Sequence, residues 1–387
     1  MVRVAASPAV LRWARHRAGV DTQGVEAAFR VQEWERGERQ PTLRQLQAYA
    51  KATHTPVGTF FLSDPPTDEL PIGDFRTIRD ERIARPSTNL LETIETCQLR
   101  QDWYRRYAIE DGAEPVAFVA SAQVGDDVVV AAARVRHGVG LDIAERSTMP
   151  RWADAFRAFA QGVEDAGVLV MVSGVVGANA HRPLDPGEFR GFALADAIAP
   201  LVFVNGRSTT SAKTFTLAHE LAHLALGESG IDAAVVDAPV RAGVPDMERW
   251  CNEFAAELLV PLADLAERKP VAVEDPIAAA NDLARRYKVS TLVVLRRMWD
   301  ARWFDSWAAY REAYDAETER LAGIDRAPSA GGSFYRTLAA RLGRRFANAI
   351  AASVAEGRTP VREAMRLTAT KSPTSFDAFA RSLGVGT

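Results

Sequence analysis

The stretch TFTLAHELAHLALG, residues 214–227, decides how the rest of the chain is read. It contains His219-Glu220-Leu221-Ala222-His223 and admits two readings. On an α-helix, residues i and i+4 lie on one face a turn apart, so His219 and His223 can aim ring nitrogens at one point. Zinc takes neutral imidazole at about 2.0–2.1 Å in tetrahedral geometry. Glu220 directly follows the first histidine. It cannot easily bind the same ion, but it reaches water beside it, which is the HExxH arrangement of two ligands and a general base. The plain alternative is a core helix rich in alanine and leucine whose histidines are satisfied by polar neighbours. Three features favour the metal. The flanks Thr216-Leu217-Ala218 and Leu224-Ala225-Leu226 are uncharged, no proline or glycine interrupts before Gly227, and two of only six histidines fall here.

A catalytic zinc site needs a third protein ligand and an open position. The candidate lies 25 residues after His223, in MERWCNEFAAELLVP, whose spacing predicts a helix with Ala255, Ala256, Leu258 and Leu259 on or near its buried side. Its acids are Glu248, Glu253 and Glu257. Glu248 and Asn252 are four apart and share a face, while Glu253 and Glu257 share another. Glu248 is therefore the expected third ligand. Asn252 is placed to accept the N–H of a ligating histidine and fix its tautomer. The competing reading makes all three acids surface charges of an amphipathic helix.

The remainder of the chain sets the frame. Its 387 residues suggest two or three domains, and 47% hydrophobic with 25% charged residues is ordinary globular composition. Two cysteines, Cys97 and Cys251, lie far apart, which argues against a disulfide framework and for a reducing cytoplasm. Neither a signal-peptide h-region nor an apolar run long enough for a transmembrane span is found, so no membrane association is expected. The net charge of −3 excludes a protein that coats nucleic acid along its whole length. Residues 1–62, however, hold nine Lys/Arg against five Asp/Glu, which is compatible with phosphate contacts and equally with a solvated helical surface.

The pattern predicts an α+β chain, mostly helical. Residues 1–64 read as short helices, including SPAVLRWARHRAG with Ser7 as cap and PTLRQLQAYAKAT with Leu43, Leu46, Tyr49 and Ala50 at helical spacing. Residues 65–87 are proline-rich and charged and read as a linker. Residues 88–304 begin helically, pass through the strand candidates GVLVMVSG, FRGFALAD and APLVFVNG, and enter the histidine helix. Residues 305–387 read as further helices, either a cap on the preceding domain or a module for a partner protein. Trp299, Trp303 and Trp307, spaced by four, predict one helix face in a core or interface. The segment 280–301 resembles a helix-turn-helix, but an αα-hairpin turning at Lys288-Val289-Ser290 explains it more simply.

These blocks together resemble the ImmA/IrrE-type metallopeptidases, in the long form that carries an N-terminal helix-turn-helix of the Xre, phage-repressor-like class. The resemblance rests on FTLAHELAHLALG (215–227), ERWCNEFAAELLVP (248–261), PLVFVNG before the zinc helix, DFRTIRD (74–80), and WERGERQPTLRQLQAYAK with TFFL within 34–62. It covers residues 10–300 well and the rest weakly. It implies a zincin-like peptidase domain, with zinc held by His219, His223 and Glu248 and Glu220 as catalytic base. It also implies a specific protein partner. This is either a substrate, such as a DNA-bound repressor of stress or mobile-element genes, or a cognate toxin if the chain is an antitoxin. Tyr287 is the residue to examine as an oxyanion donor.

One part departs from the family pattern. AGVDTQGVEAAFRVQEWERGE is about four residues short where the turn and the start of a recognition helix belong, and Gly24 weakens the helix before it. Arg30, Gln32 and Arg36 are best placed to touch DNA through residues 1–64. The alternative is a dimerisation or docking unit, with a homodimer as the expected assembly.

Overall fold

The computed structural model describes residues 3–18, 29, 31–66, 72–74, 77–78, 81–82, 86–232, 245–269, 275–323 and 334–385. They fall into two compact units, Met1–Pro71 with Ala84–Glu92, and Ile72–Ile83 with Thr93–Thr387.

The first unit is helical. Helices Pro8–Arg17, Val31–Glu35 and Leu43–Ala52, with a short 3-10 turn Val57–Phe61, close on Val10, Leu11, Val31, Trp34, Leu46, Tyr49 and Phe60. Trp34 meets Tyr49 edge-on at 5.8 Å, and the Tyr49 hydroxyl donates to Leu11 O at 3.0 Å. Thr42 and Gln45 form a reciprocal capping box at the start of the third helix. Gln32 and Arg36 are exposed and hydrogen-bond each other at 3.3 Å. Arg30 and most of the shortened segment before it lie outside the described residues.

The second unit is built on a mixed sheet of strands β1 (Gly73–Asp74), β2 (Leu169–Ser173), β3 (Gly191–Leu194), β4 (Leu201–Asn205) and β5 (Gly230–Asp232), in the order β1-β5-β3-β4-β2. β2 runs parallel to β4, β3 antiparallel to both β4 and β5, and β1 parallel to β5. The Val- and Phe-rich segments become continuously buried strands because both faces are covered. Val170, Val202, Val204 and Ala193 join the core beneath helix Thr210–Leu226, and Met171 meets Cys97 of helix Thr88–Glu110 on the other face. β1 comes from the segment expected to be a linker. A two-residue edge strand is too short to show periodicity.

Residues 305–387 belong to this same unit. Helices 276–287 and 291–300 form the expected αα-hairpin, with Lys288 in the left-handed region at the turn and Ser290 capping the second helix. The three tryptophans do not share one helix. The chain leaves helical geometry after Asp300, Arg302 has φ +57°, and Trp307 opens a new helix, Trp307–Ala322. Trp299 and Trp307 meet across that corner at 5.2 Å, against Tyr310.

Helix Phe334–Leu342 lies along β2, and Gly343 then brings the backbone against the strand. With φ +77°, a Cβ there would stand 2.3 Å from Val170 O and 2.7 Å from a Glu164 carboxylate oxygen, which only glycine avoids. Glu164 accepts from Arg345 N at 2.9 Å, at the start of helix Arg344–Ala355. Burial lifts the Glu164 carboxyl from 4.5 to about 7, so the folded chain holds its proton more tightly than the unfolded chain. This contribution is complete below the unfolded value and is lost as pH rises through the folded one. Glu164→Gln keeps the acceptor and is expected to raise Tm at pH 8 by about 3 °C, with much less change at pH 5. Equal differences at the two pH values in thermal melts would rule this out.

Candidate metal centre

Helix Thr210–Leu226 begins on the Thr209 side chain, which accepts from Ala212 N, and ends at Gly227. Every residue from Thr214 to Ala225 is buried, because the helix runs between the sheet, helix Trp152–Asp165 and helix Asp246–Leu259. This all-round burial is why the segment carries no charge apart from the histidines and Glu220. His219 and His223 face one another a turn apart, with Nε2 atoms 3.1 Å apart.

Helix Asp246–Leu259 packs on this face and brings Glu248, itself 4% exposed, to both rings. Glu248 Oε2 lies 3.3 Å from His219 Nε2, and Oε1 lies 3.4 Å from His223 Nε2. The donors fit a metal ion. Two ligands at about 2.0–2.1 Å from a tetrahedral zinc stand about 3.3 Å apart, and the three observed separations span 3.1 to 3.4 Å. Two imidazoles and one carboxylate also make a donor set typical of zinc. Among the described residues, no other group of three His, Cys, Asp or Glu side chains converges in this way. Burial, followed by the neighbouring His219, pushes the His223 imidazole down to about 4, against a smaller opposing pull from Glu248. The ring is therefore neutral near pH 7, the form that binds metal.

The far end of helix Asp246–Leu259 is held by three arginines. Arg136 donates to Glu257 O and Leu258 O, Arg146 to Leu259 O, and Arg297 to Val260 O at 2.9 Å. These guanidinium groups satisfy the carbonyls left open at a helix C-terminus and complement its dipole. Arg297 also donates to the buried Glu257 carboxylate, which accepts in turn from Leu262 N at 3.2 Å. The helix is thus fixed along its axis at one end, which sets the position of Glu248 at the other. Of the three glutamates of this helix, Glu248 and Glu257 are buried and only Glu253 is exposed.

Glu220 lies on the same helix and is fully buried. Its carboxylate rests against β3, since a Cβ on Gly191 would stand 2.8 Å from Glu220 Oε1, 2.5 Å from Thr216 Cγ2 and 2.8 Å from Phe203 O. The backbone carbonyl cannot move aside cheaply. Gly191→Ala is expected to cost about 1–3 kcal/mol through overpacking, measured by urea denaturation. An unchanged midpoint would show that β3 and the helix can separate freely.

Two expected roles fall elsewhere. The group at His223 Nδ1 is the Cys251 thiol, at 3.8 Å, whereas Asn252 Oδ1 accepts no hydrogen bond among the described residues. Cys251 is one residue from Asn252, and the real crossing of the two helices turns that neighbour toward the ring. The Tyr287 hydroxyl is committed to Asp264, so it is not an oxyanion donor here. Gly191, Cys251 and the three arginines were not visible as site residues. Both cysteines are buried, and neither forms a disulfide. No helix among the described residues is long and apolar enough to cross a membrane.

Residues 163–298 match the family model Peptidase_M78, the IrrE N-terminal-like domain, a stretch that contains His219, Glu220, His223 and Glu248. Residues 342–382 match a domain of unknown function. No curated protein and no solved structure matches the chain.

Proposed function

We propose that this chain is a regulatory zinc endopeptidase of the ImmA/IrrE type, which cleaves a specific regulatory protein such as a repressor of stress or mobile-element genes. The observation that carries the reading is the convergence of Glu248 with His219 and His223 at zinc-ligand spacing, the two histidines lying on the helix that also bears Glu220. His219 Nε2, His223 Nε2 and Glu248 would hold the ion. Bound there, zinc acidifies a water molecule and polarises a peptide carbonyl. Glu220 takes the proton of the attacking water on a carboxylate oxygen and hands it to the leaving amine. Gly191 gives that carboxylate its resting place, and the Cys251 thiol holds the far side of the His223 ring. The first unit, with exposed Gln32 and Arg36, supplies the DNA contact that would bring the peptidase to a DNA-bound substrate.

A second reading is favoured by the burial of the centre. His219, Glu220 and His223 have no exposed surface, as suits a metal that stabilises a platform for a cognate toxin or another partner. One experiment separates the two. The zinc-loaded chain is incubated with extract of its own cells, and new protein N-termini are quantified by mass spectrometry. Peptidase activity gives new termini confined to one or a few proteins, absent with Glu220→Gln. If wild type and Glu220→Gln give identical termini, the platform reading stands and the peptidase reading falls.

A further inference from the structure

On the face of the sheet away from the histidine helix, a small cavity of about 20 Å³ is lined by Thr96, Cys97, Arg100, Ser173, Arg341 and Thr368, among others. Its walls come from helix Thr88–Glu110, the end of β2, helix Phe334–Leu342 and the end of helix Val361–Thr368. It lies where the C-terminal helices dock on the sheet.

Among the described residues, no acid compensates the charge in this cavity. Arg100 is 7% exposed, and its recorded partners are neutral: Nε donates to Leu367 O at 2.8 Å, and Nη1 to the Met171 sulfur at 3.6 Å. A thioether is a weak acceptor. Arg341, half-buried, has no hydrogen bond or ion pair among the described residues, and none of the described acids pairs with either guanidinium. Burial draws both arginines down from their usual value, yet arginine stays charged in proteins. Cys97 offers no counter-charge, because burial pushes its thiol up to about 12. The buried Arg100 guanidinium, with a second, half-buried arginine lining the same cavity, would be costly without an anion, since buried charges are found paired.

We propose that this cavity binds a small inorganic anion of chloride size, which ties the C-terminal helices to the sheet. The volume exceeds the roughly 10–15 Å³ that one water needs, so a single halide ion fits, whereas a nucleotide or a lipid headgroup does not. Arg100 approaches the ion from helix Thr88–Glu110, and Arg341 approaches it from helix Phe334–Leu342. The Thr96 hydroxyl, which makes no recorded hydrogen bond among the described residues, is free to donate to it. An ion bound by the folded chain alone raises stability with its concentration. The site is separate from the metal centre and does not rest on the proposed peptidase activity.

The test melts the full, zinc-loaded chain at constant ionic strength while sodium chloride replaces sodium gluconate, from 1 to 100 mM. Tm is expected to rise by about 3 °C. Arg341→Met, a half-buried position whose replacement keeps the apolar stem, is expected to abolish the rise with zinc content unchanged. Crystals soaked in sodium bromide should show an anomalous peak between Arg100 and Arg341. The proposal is overturned by equal melts in chloride and gluconate, by an undiminished chloride effect in Arg341→Met, or by a bromide peak with no effect on melting, which marks an adventitious ion only. A response to phosphate or sulfate larger than that to chloride overturns the size assignment.

Discussion

Replacing His219 by alanine is expected to take the chain from about one zinc ion bound to a trace, read by metal analysis after dialysis against a weak chelator. The separations among His219, His223 and Glu248 leave a two-ligand remnant once one ring is gone, and Glu248 then lies buried beside a single imidazole. Glu220→Gln is expected to keep the full metal content, because this side chain rests against β3 rather than among the donors. Removing zinc from the wild type with a strong chelator should also lower Tm, since an ion bound only by the folded chain stabilises it by mass action. Retention of stoichiometric zinc in His219→Ala would mean that other groups hold the metal.

The largest effect on stability is expected at Arg297, far from the donors. Its guanidinium pairs with the buried Glu257 carboxylate and donates to Val260 O, with both side chains about 5% exposed. Removing one partner of a buried pair costs about 3–5 kcal/mol, and here only Arg136, 4.0 Å from the Glu257 carboxylate, and Leu262 N remain to offset the orphaned charge. Arg297→Ala should therefore drop Tm by roughly 10 °C. It should also weaken zinc binding, because the end of the helix that carries Glu248 is no longer anchored. The double variant Arg297→Met with Glu257→Leu removes both charges and should recover much of the loss. If the single variant melts like the wild type, the arginine anchors do not set the helix position. If the double variant melts no higher than the single one, the cost is lost packing rather than an orphaned charge.

The parts of this centre that were legible in the sequence are those governed by local periodicity. The four-residue spacing of His219 and His223 places them on one face wherever the helix lies. The uncharged flanks announce burial, and Glu248 is distinguished from Glu253 and Glu257 by sharing a helix face with Asn252. The partner of His223 was not legible, because whether Cys251 or Asn252 meets the ring depends on how two helices cross. Gly191 was hidden for a similar reason, since its need to be glycine comes from Glu220, Thr216 and Phe203, all distant in the chain. The arginine anchors bind backbone carbonyls, which leave no trace in a pattern of side chains. For the fold, the α+β character and the three Val- and Phe-rich strands were readable. The short β1 and β5 were not, and the corner at Arg302 broke a tryptophan spacing that looked continuously helical.

The sheet also imposes an order in time. The contact between His219 and Glu248 closes a loop of modest length, whereas Gly73 of β1 pairs with Gly230 of β5 across about half of the second unit. Bringing distant segments together costs more chain entropy than bringing near ones together, and such pairings form late. The two metal-binding helices are therefore expected to come together while the outer strand is still open. In hydrogen exchange, the β1 amides should be among the first in the sheet to trade with solvent, and those of helix Thr210–Leu226 among the last.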